Sequence, residues 1–229
     1  MGVTRRAGAM TRWLGPGDPD LTPRTDLATA RRLVESVVGD DRSIDADRAR
    51  ILRAIEASRR NDESGSDLVV APSDHVAHRS ARPGHLTGSA FVVDHSGHQA
   101  VLLFHRKLRR WLQPGGHADG DTNLAHVAWR EATEETGLEG LELYEVPIDL
   151  DIHEVRPPNE DAHLHLDVRF VLRAPAGARL VANDESDALR WVSRHDLDGY
   201  GLDVGLRRLA AHAFAVIDSG DGSTAVVEA

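Results

Sequence analysis

The chain has 229 residues, 41% hydrophobic content, a formal net charge of −10 and no cysteine. This is enough apolar material for a buried core, and it excludes disulfides, thiolate metal sites and cysteine catalysis. No apolar run is long enough to span a membrane and no signal-like leader is visible, so a cytoplasmic protein with no membrane partner is expected. The acidic balance argues against nucleic acid, whose phosphates reward positive patches, although a phosphorylated small molecule remains accessible if metal ions supply positive charge. The frequent Ala, Arg, Asp and Gly suggest a GC-rich bacterial genome.

Residues 1–24 carry Gly15-Pro16-Gly17-Asp18-Pro19 and little periodicity, which predicts a loosely ordered arm. Two helices follow. The first, near Asp26 to Val38, places Leu27, Ala30, Val34 and Val37 on one face and stops at Gly39. The second begins at the cap candidate Ser43, has Asp45 and Asp47 favourable to its dipole, and buries Leu52 and Ile55. Asn61 to Ser66 reads as a link, and a boundary near residue 80 divides the chain into an arm and helical extension over 1–80, a main domain over 81–218 and a polar tail over 219–229. Short apolar runs at Gly88 to Asp94 and Gln99 to Phe104, with a polar turn at His95 to His98, predict a hairpin. Trp111-Leu112-Gln113-Pro114-Gly115-Gly116 and a loop lead into a helix from about Asn123 to Thr136, closed by Gly137. Strands are predicted near Tyr144 to Val155, His163 to Leu172 and Ala188 to Val192. A last amphipathic helix spans Asp203 to Ile217, burying Leu206, Leu209, Ala213 and Val216. This order of strands and helices predicts an α/β or α+β layered domain.

The helix near 123–136 carries the most chemistry. At about 100° per residue, Glu134 and Glu135 flank Glu131 in the sector also occupied by Leu124, Val127 and Ala128. A solvated charge run should lie opposite the apolar stripe, whereas this one continues it. Two unit charges about 4 Å apart repel by roughly 4 kcal/mol at an effective dielectric near 20, so three inward carboxylates require a compensating cation. Oxygen ligands without thiols suit a hard ion, Mg²⁺ or Mn²⁺. Glu131, Glu134 and Glu135 are therefore read as a metal site.

Read as a spaced pattern, Gly116, Thr122 and Arg130-Glu131-Ala132-Thr133-Glu134-Glu135-Thr136-Gly137-Leu138 resemble the Nudix box, G-x5-E-x7-R-E-U-x-E-E-x-G-U with U bulky or apolar. Trp111-x-x-Pro-Gly-Gly is a common lead-in to that box. Thr122 stands where the family has its first glutamate, and Ala132 is a small occupant of a U position. The resemblance covers roughly residues 85 to 218. It implies a Nudix-like α/β/α sandwich with a central mixed sheet, here with an N-terminal helical extension. It also implies divalent-metal-dependent hydrolysis of a nucleoside diphosphate linked to another moiety. By resemblance Glu131, Glu134 and Glu135 bind Mg²⁺ or Mn²⁺ with the Gly115 carbonyl, Glu131 also accepts a proton from water, and Arg130 orients Glu131 by a bidentate contact. Glu185, six positions before Trp191-Val192-Ser193, is a further ligand or the base, or a solvated member of the acidic turn 183–187. Asp119 and Asp121 are candidates to replace the carboxylate missing at Thr122; both equally suit turns, and Asp121 a helix cap. The competing reading is a Nudix fold with weakened catalysis, acting as a nucleotide-sensing or interaction module.

The basic run His105 to Arg110 precedes the Pro-Gly-Gly turn, and one or two of Arg106, Lys107 and Arg109 are expected to contact substrate phosphate. As a strand, His163-Leu164-His165-Leu166-Asp167 puts both histidines and the aspartate on one face. The run is similar to the start of the His-x-His-x-Asp-His motif of metallo-β-lactamase-like hydrolases, but Val168 occupies the required last histidine. His117, directly after Gly116, has the best pocket location of the 13 histidines. There is no phosphate loop, nucleophile elbow or zinc-protease helix motif. A small phosphorylated substrate is the expected partner, and the helices near 26–60 are a candidate homodimer surface.

Overall fold

The computed structural model describes residues 12–37, 42–63, 75–157, 160–182 and 186–220. Its strands are β1 (Trp13–Leu14), β2 (Gly84–Val93), β3 (Gln99–His105), β4 (Arg110–Leu112), β5 (Gly115–His117), β6 (Glu142–Tyr144), β7 (Asp149–Val155), β8 (His163–Arg173) and β9 (Ser186–Ser193). The helices are α1 (Leu27–Ser36), α2 (Arg42–Glu63), α3 (Leu124–Thr136) and α4 (Val204–Gly220). The nine strands form one mixed sheet ordered β1-β6-β8-β2-β3-β4, with β5 paired to β2, β7 to β8 and β9 to β3. β2 and β8 run parallel over ten residue pairs, from Gly84↔Leu164 to Val93↔Arg173, and form the centre of the sheet.

Period-2 alternation sorts these central strands into two unlike faces. Leu86, Ala90 and Val92 of β2 and Leu166, Val168, Phe170 and Leu172 of β8 point to one side, into a cluster with Leu27, Ala30 and Val34 of α1, Ile44, Ile51 and Ile55 of α2, and Leu124, Val127 and Ala128 of α3. Phe91, Val93 and Val171 point to the other side and pack under Leu206, Leu209, Ala213 and Phe214 of α4. Helices thus cover both faces of a mixed sheet, the expected α/β/α sandwich. Fully burying each Phe or Leu here stabilises the fold by about 1.5–3 kcal/mol. The approach of α3 to β2 depends on Gly88, where a Cβ would meet the Leu124 carbonyl oxygen at 2.8 Å and the Ala128 nitrogen at 3.1 Å.

Several boundaries differ from the sequence reading. Residues 12–24 are no loose arm. Trp13 and Leu14 pair with Tyr144 and Leu143, Pro19–Leu21 form a 3-10 turn, and the Asn123 amide donates to the Asp20 and Thr22 carbonyls at 2.8 and 2.9 Å. Those tertiary hydrogen bonds replace the absent local periodicity. α1 begins where expected and is capped by Asp26, whose side chain accepts from the Thr29 N–H, whereas its expected stop at Gly39 lies outside the described residues. α2 already includes Arg42, so Ser43 is not its cap; the Ser43 hydroxyl instead accepts from Arg208 at 3.3 Å. Its inward face is led by Ile44, Ile51 and Ile55, with Leu52 only partly buried. Asn61 to Glu63, read as link, close α2, and the remainder of that link lies outside the described residues. The single strand expected over Tyr144 to Val155 is two, β6 and β7, interrupted around Pro147, which has no N–H for a ladder.

Candidate functional site

The site is built around β5, an edge strand of three residues whose two sides face different chemistry. Gly116 faces α3. A Cβ there would meet the Glu131 carboxyl carbon at 2.3 Å and its oxygens at 2.5 Å, so the missing side chain is what lets the carboxylate lie against the strand. The Gly115 N–H donates to Glu135 Oε2 at 2.9 Å. Arg130 Nη1 lies 2.8 Å from Glu131 Oε1 and 3.3 Å from Glu134 Oε2, while Nη2 donates to the His117 carbonyl at 3.2 Å. Arg130 Nη1 thus lies within ion-pair reach of two carboxylates. α3 ends as the sequence indicates, with Gly137 in the left-handed region at φ 65° and its N–H donating to Thr133.

The three glutamates do not share one environment. Glu135 is buried, Glu131 is half-buried, and the Glu134 side chain is 58% exposed. Glu134 therefore lies nearer the solvent rim than the helical periodicity assigns it, within ion-pair reach of Arg130 one turn back. The carboxylates still fit a hard cation by donor type, and the Gly116 cradle holds Glu131 where a side chain would otherwise intrude.

Thr122 is fully buried. Its hydroxyl donates to the Asp26 carbonyl at 2.8 Å and its N–H to the Arg24 carbonyl at 2.8 Å. Thr122 is therefore a latch for the segment entering α1. The two aspartates nearby are also engaged. Asp119 is paired with Arg79, which lowers its pKa. Asp121 accepts from the Arg24 and Asn123 N–H groups and lies 2.6 Å from His126 Nδ1. Arg106 and Arg109 pair with Asp187 at 2.8 and 2.5 Å on an exposed loop, and Lys107 is exposed beside them. Glu185 lies outside the described residues.

The opposite face of the same ladder is polar in its first half. Thr87 pairs with His117 across β2–β5, His85 with His165 and Thr87 with Asp167 across β2–β8, and His153 with His165 and Asp151 with Asp167 across β7–β8. Five imidazoles gather: His85 lies 5.0 Å from His117, 4.9 Å from His163 and 5.1 Å from His165 by ring centroid, and His153 lies 5.4 Å from His165. As the alternation predicts, His163, His165 and Asp167 share a face, with Val168 buried on the other. Among the described residues, His85, His117 and His165 form the group of three whose ligating atoms lie within 4.8 Å of one another; the glutamates are not gathered that tightly.

Burial, with the neighbouring His117 and His163, pushes His85 down to about 4. Burial, with His153 and His117 beside it, pushes His165 down to about 3, and burial also lowers His117. Behind the rings lies an ionic network. Arg169 bonds Asp167 at 2.8 Å and Asp151 at 2.9 Å and lies 3.4 Å from Asp149, while Arg208 reaches Asp149 at 2.8 Å and Asp151 at 3.2 Å. Burial opposes ionisation of Asp151, yet its His153 hydrogen bond and the Arg169 charge carry it down to about 2. Burial raises Asp149 against the pull of Arg208 and Arg169, and Arg169 is held charged by its three aspartates despite its own burial.

Sequence reasoning missed His85, because β2 begins at Gly84 rather than Gly88, and it missed the Asp149-x-Asp151-x-His153 face of β7. Alternation within each strand was the available signal. The registers that align these residues are tertiary.

The family model of the NUDIX domain matches residues 85–213 of the chain. A search of curated proteins found no match. Among solved structures, a C. elegans Ap4A hydrolase binary complex is similar at 15% identity and a TM-score of 0.48, covering 59% of this chain and 98% of that one. A NUDIX-family hydrolase from Clostridium perfringens is similar at 24% identity and a TM-score of 0.42, covering 59% and 97%. The E. coli dihydroneopterin triphosphate pyrophosphohydrolase is similar at 17% identity and a TM-score of 0.44, covering 60% and 97%.

Proposed function

The chain belongs to the NUDIX domain family and is a hydrolase acting on phosphoric anhydrides, and from that premise we propose that it is a divalent-metal-dependent pyrophosphohydrolase of a nucleoside diphosphate linked to another group. The observation that carries this reading is the Gly116 cradle, which seats the Glu131 carboxylate against β5 beneath Arg130. Glu131, Glu134 and Glu135, with the Gly115 carbonyl, would hold Mg²⁺ or Mn²⁺. When bound, the ion neutralises nonbridging phosphate oxygens and favours ionisation of the attacking water.

The chain's own residues account for positioning. Arg130 fixes Glu131 and, through the His117 carbonyl, ties α3 to β5, so the carboxylate that takes the water proton cannot swing away. The Gly115 N–H holds Glu135 against β5 through Oε2. Glu185 remains a candidate further ligand or base, and Arg106, Lys107 and Arg109 candidate phosphate contacts after release from Asp187, an exposed pairing worth only about 0–1 kcal/mol. We place the protein in the cytoplasm. The domain division near residue 80 and a homodimer through the α1–α2 surface are proposals of the same standing.

The test is a panel of nucleoside triphosphates, nucleotide sugars and dinucleotides offered to purified protein with Mg²⁺ or Mn²⁺. Turnover of at least one, abolished by Glu134→Gln, is expected. Tight nucleotide binding without turnover of any would replace this reading with that of a nucleotide-sensing module.

A further inference from the structure

We propose that His85, His117 and His165 form a second metal site, separate from the carboxylates of α3 and built for a borderline divalent ion of the zinc class rather than Mg²⁺ or Mn²⁺. The three residues come from three adjacent strands, β2, β5 and β8, whose registers put them on one face of the sheet. Their ligating atoms lie within 4.8 Å of one another. A tetrahedral ion with Zn–N bonds of about 2.0–2.1 Å needs nitrogens roughly 3.4 Å apart, a closure that imidazole rotation can supply.

Two of the histidines, His85 and His165, have little other employment. His85 is 1% exposed, and its ring has no well-formed hydrogen bond, only a weak contact with the Ala81 backbone; His165 Nε2 is buried without a partner. Buried polar atoms are rarely left unpaired, and ligation is the pairing that the surrounding geometry offers. The neighbouring carboxylates do not compete. Asp167 is held by Thr87, Ser89 and Arg169, and Asp151 by His153, Arg169 and Arg208. The donor set is therefore all imidazole, which selects Zn²⁺, Co²⁺ or Ni²⁺ over the oxygen-seeking Mg²⁺. Three protein ligands leave a fourth position for water or a substrate oxygen. Because His117 directly follows Gly116, the histidines lie on the opposite face of β5 from Glu131.

Co²⁺ alone is the probe. Full-length protein stripped by a chelator and held in excess Mg²⁺ is titrated with Co²⁺, read by visible absorption and by competition with Zn²⁺. One equivalent is expected to bind with the spectrum of a nitrogen-ligated ion of low coordination number. His117→Asn, and separately His165→Asn, should weaken binding at least about 100-fold, as expected for loss of one of three ligands. The Glu131→Gln/Glu134→Gln double variant should bind Co²⁺ as the natural protein does, which separates this site from the hydrolytic one. X-ray absorption of the Zn²⁺ form of the unaltered protein gives a readout independent of any variant's folding, with a shell of three imidazoles expected. Absence of a stoichiometric Co²⁺ spectrum, its survival in both histidine variants, its loss in the glutamate double variant, or an oxygen-only Zn²⁺ shell would each overturn the proposal.

Discussion

The two sides of the β2–β5 ladder use one strand repeat for opposite ends. On the α3 side the strands give up side chains: Gly88 lets the helix backbone in and Gly116 leaves room for the Glu131 carboxylate. On the other side they keep them, and His85, Thr87 and His117 meet His165 and Asp167 across two registers. The first arrangement spreads hard oxygen donors from buried Glu135 to exposed Glu134, and Arg130 offsets part of their repulsion. The second gathers neutral nitrogen donors in a desolvated pocket and confines its carboxylates to Arg169 and Arg208. A protein can thus hold two donor chemistries a single residue apart, because successive side chains of a strand point to opposite faces.

That contrast can be broken from either side, beginning with the carboxylates. Glu131→Gln keeps the shape but removes the charge and should lower kcat/KM by about 10²–10³-fold, equivalent to roughly 3–4 kcal/mol of transition-state stabilisation. The melting temperature should change little. Gly116→Ala, which drives a methyl into Glu131, should fall in the same range; equal activity in this variant would dissolve the cradle argument.

On the histidine side the largest effect concerns stability. Arg169→Met leaves Asp167 without its cation and Asp149 and Asp151 with Arg208, and should cost about 3–5 kcal/mol in denaturant unfolding. Acid should strain the same network. Asp151 has a folded pKa of about 2 against about 3.9 unfolded, so its contribution is fully present above pH 4 and lost as pH falls toward 2. About 2–3 kcal/mol of stability should disappear over that window, with a shallower decline in Asp151→Asn. The smallest expected effect is at Thr122→Val, which removes the hydrogen bond to the Asp26 carbonyl and should cost about 1–2 kcal/mol while leaving kcat/KM unchanged. A drop in turnover there would return Thr122 to the catalytic site.

Much of this was readable in the amino-acid order, for reasons that differ by residue. The α3 boundaries and its glycine cap follow from local chemistry, and Glu131 with Gly116 follows from a fixed spacing. The shared face of His163, His165 and Asp167 follows from strand alternation. What stayed hidden is what depends on register and long-range hydrogen bonds. His85 meets His165 only because β2 and β8 lie parallel and in step. Residues 12–24 are ordered by Asn123 and by pairing of Trp13 and Leu14 with β6. The exposure of Glu134 depends on what packs around the end of α3, which helical periodicity alone does not contain.

The central claim is that the carboxylates of α3 hold the ion on which hydrolysis depends. Mn²⁺ binding by electron paramagnetic resonance, measured beside turnover of the same substrate in the natural protein and in Glu131→Gln/Glu134→Gln, tests it most directly. The account predicts that the double variant loses high-affinity Mn²⁺ and turnover together. Persistent turnover after Mn²⁺ binding has been abolished, or undiminished Mn²⁺ binding in the inactive variant, would contradict it.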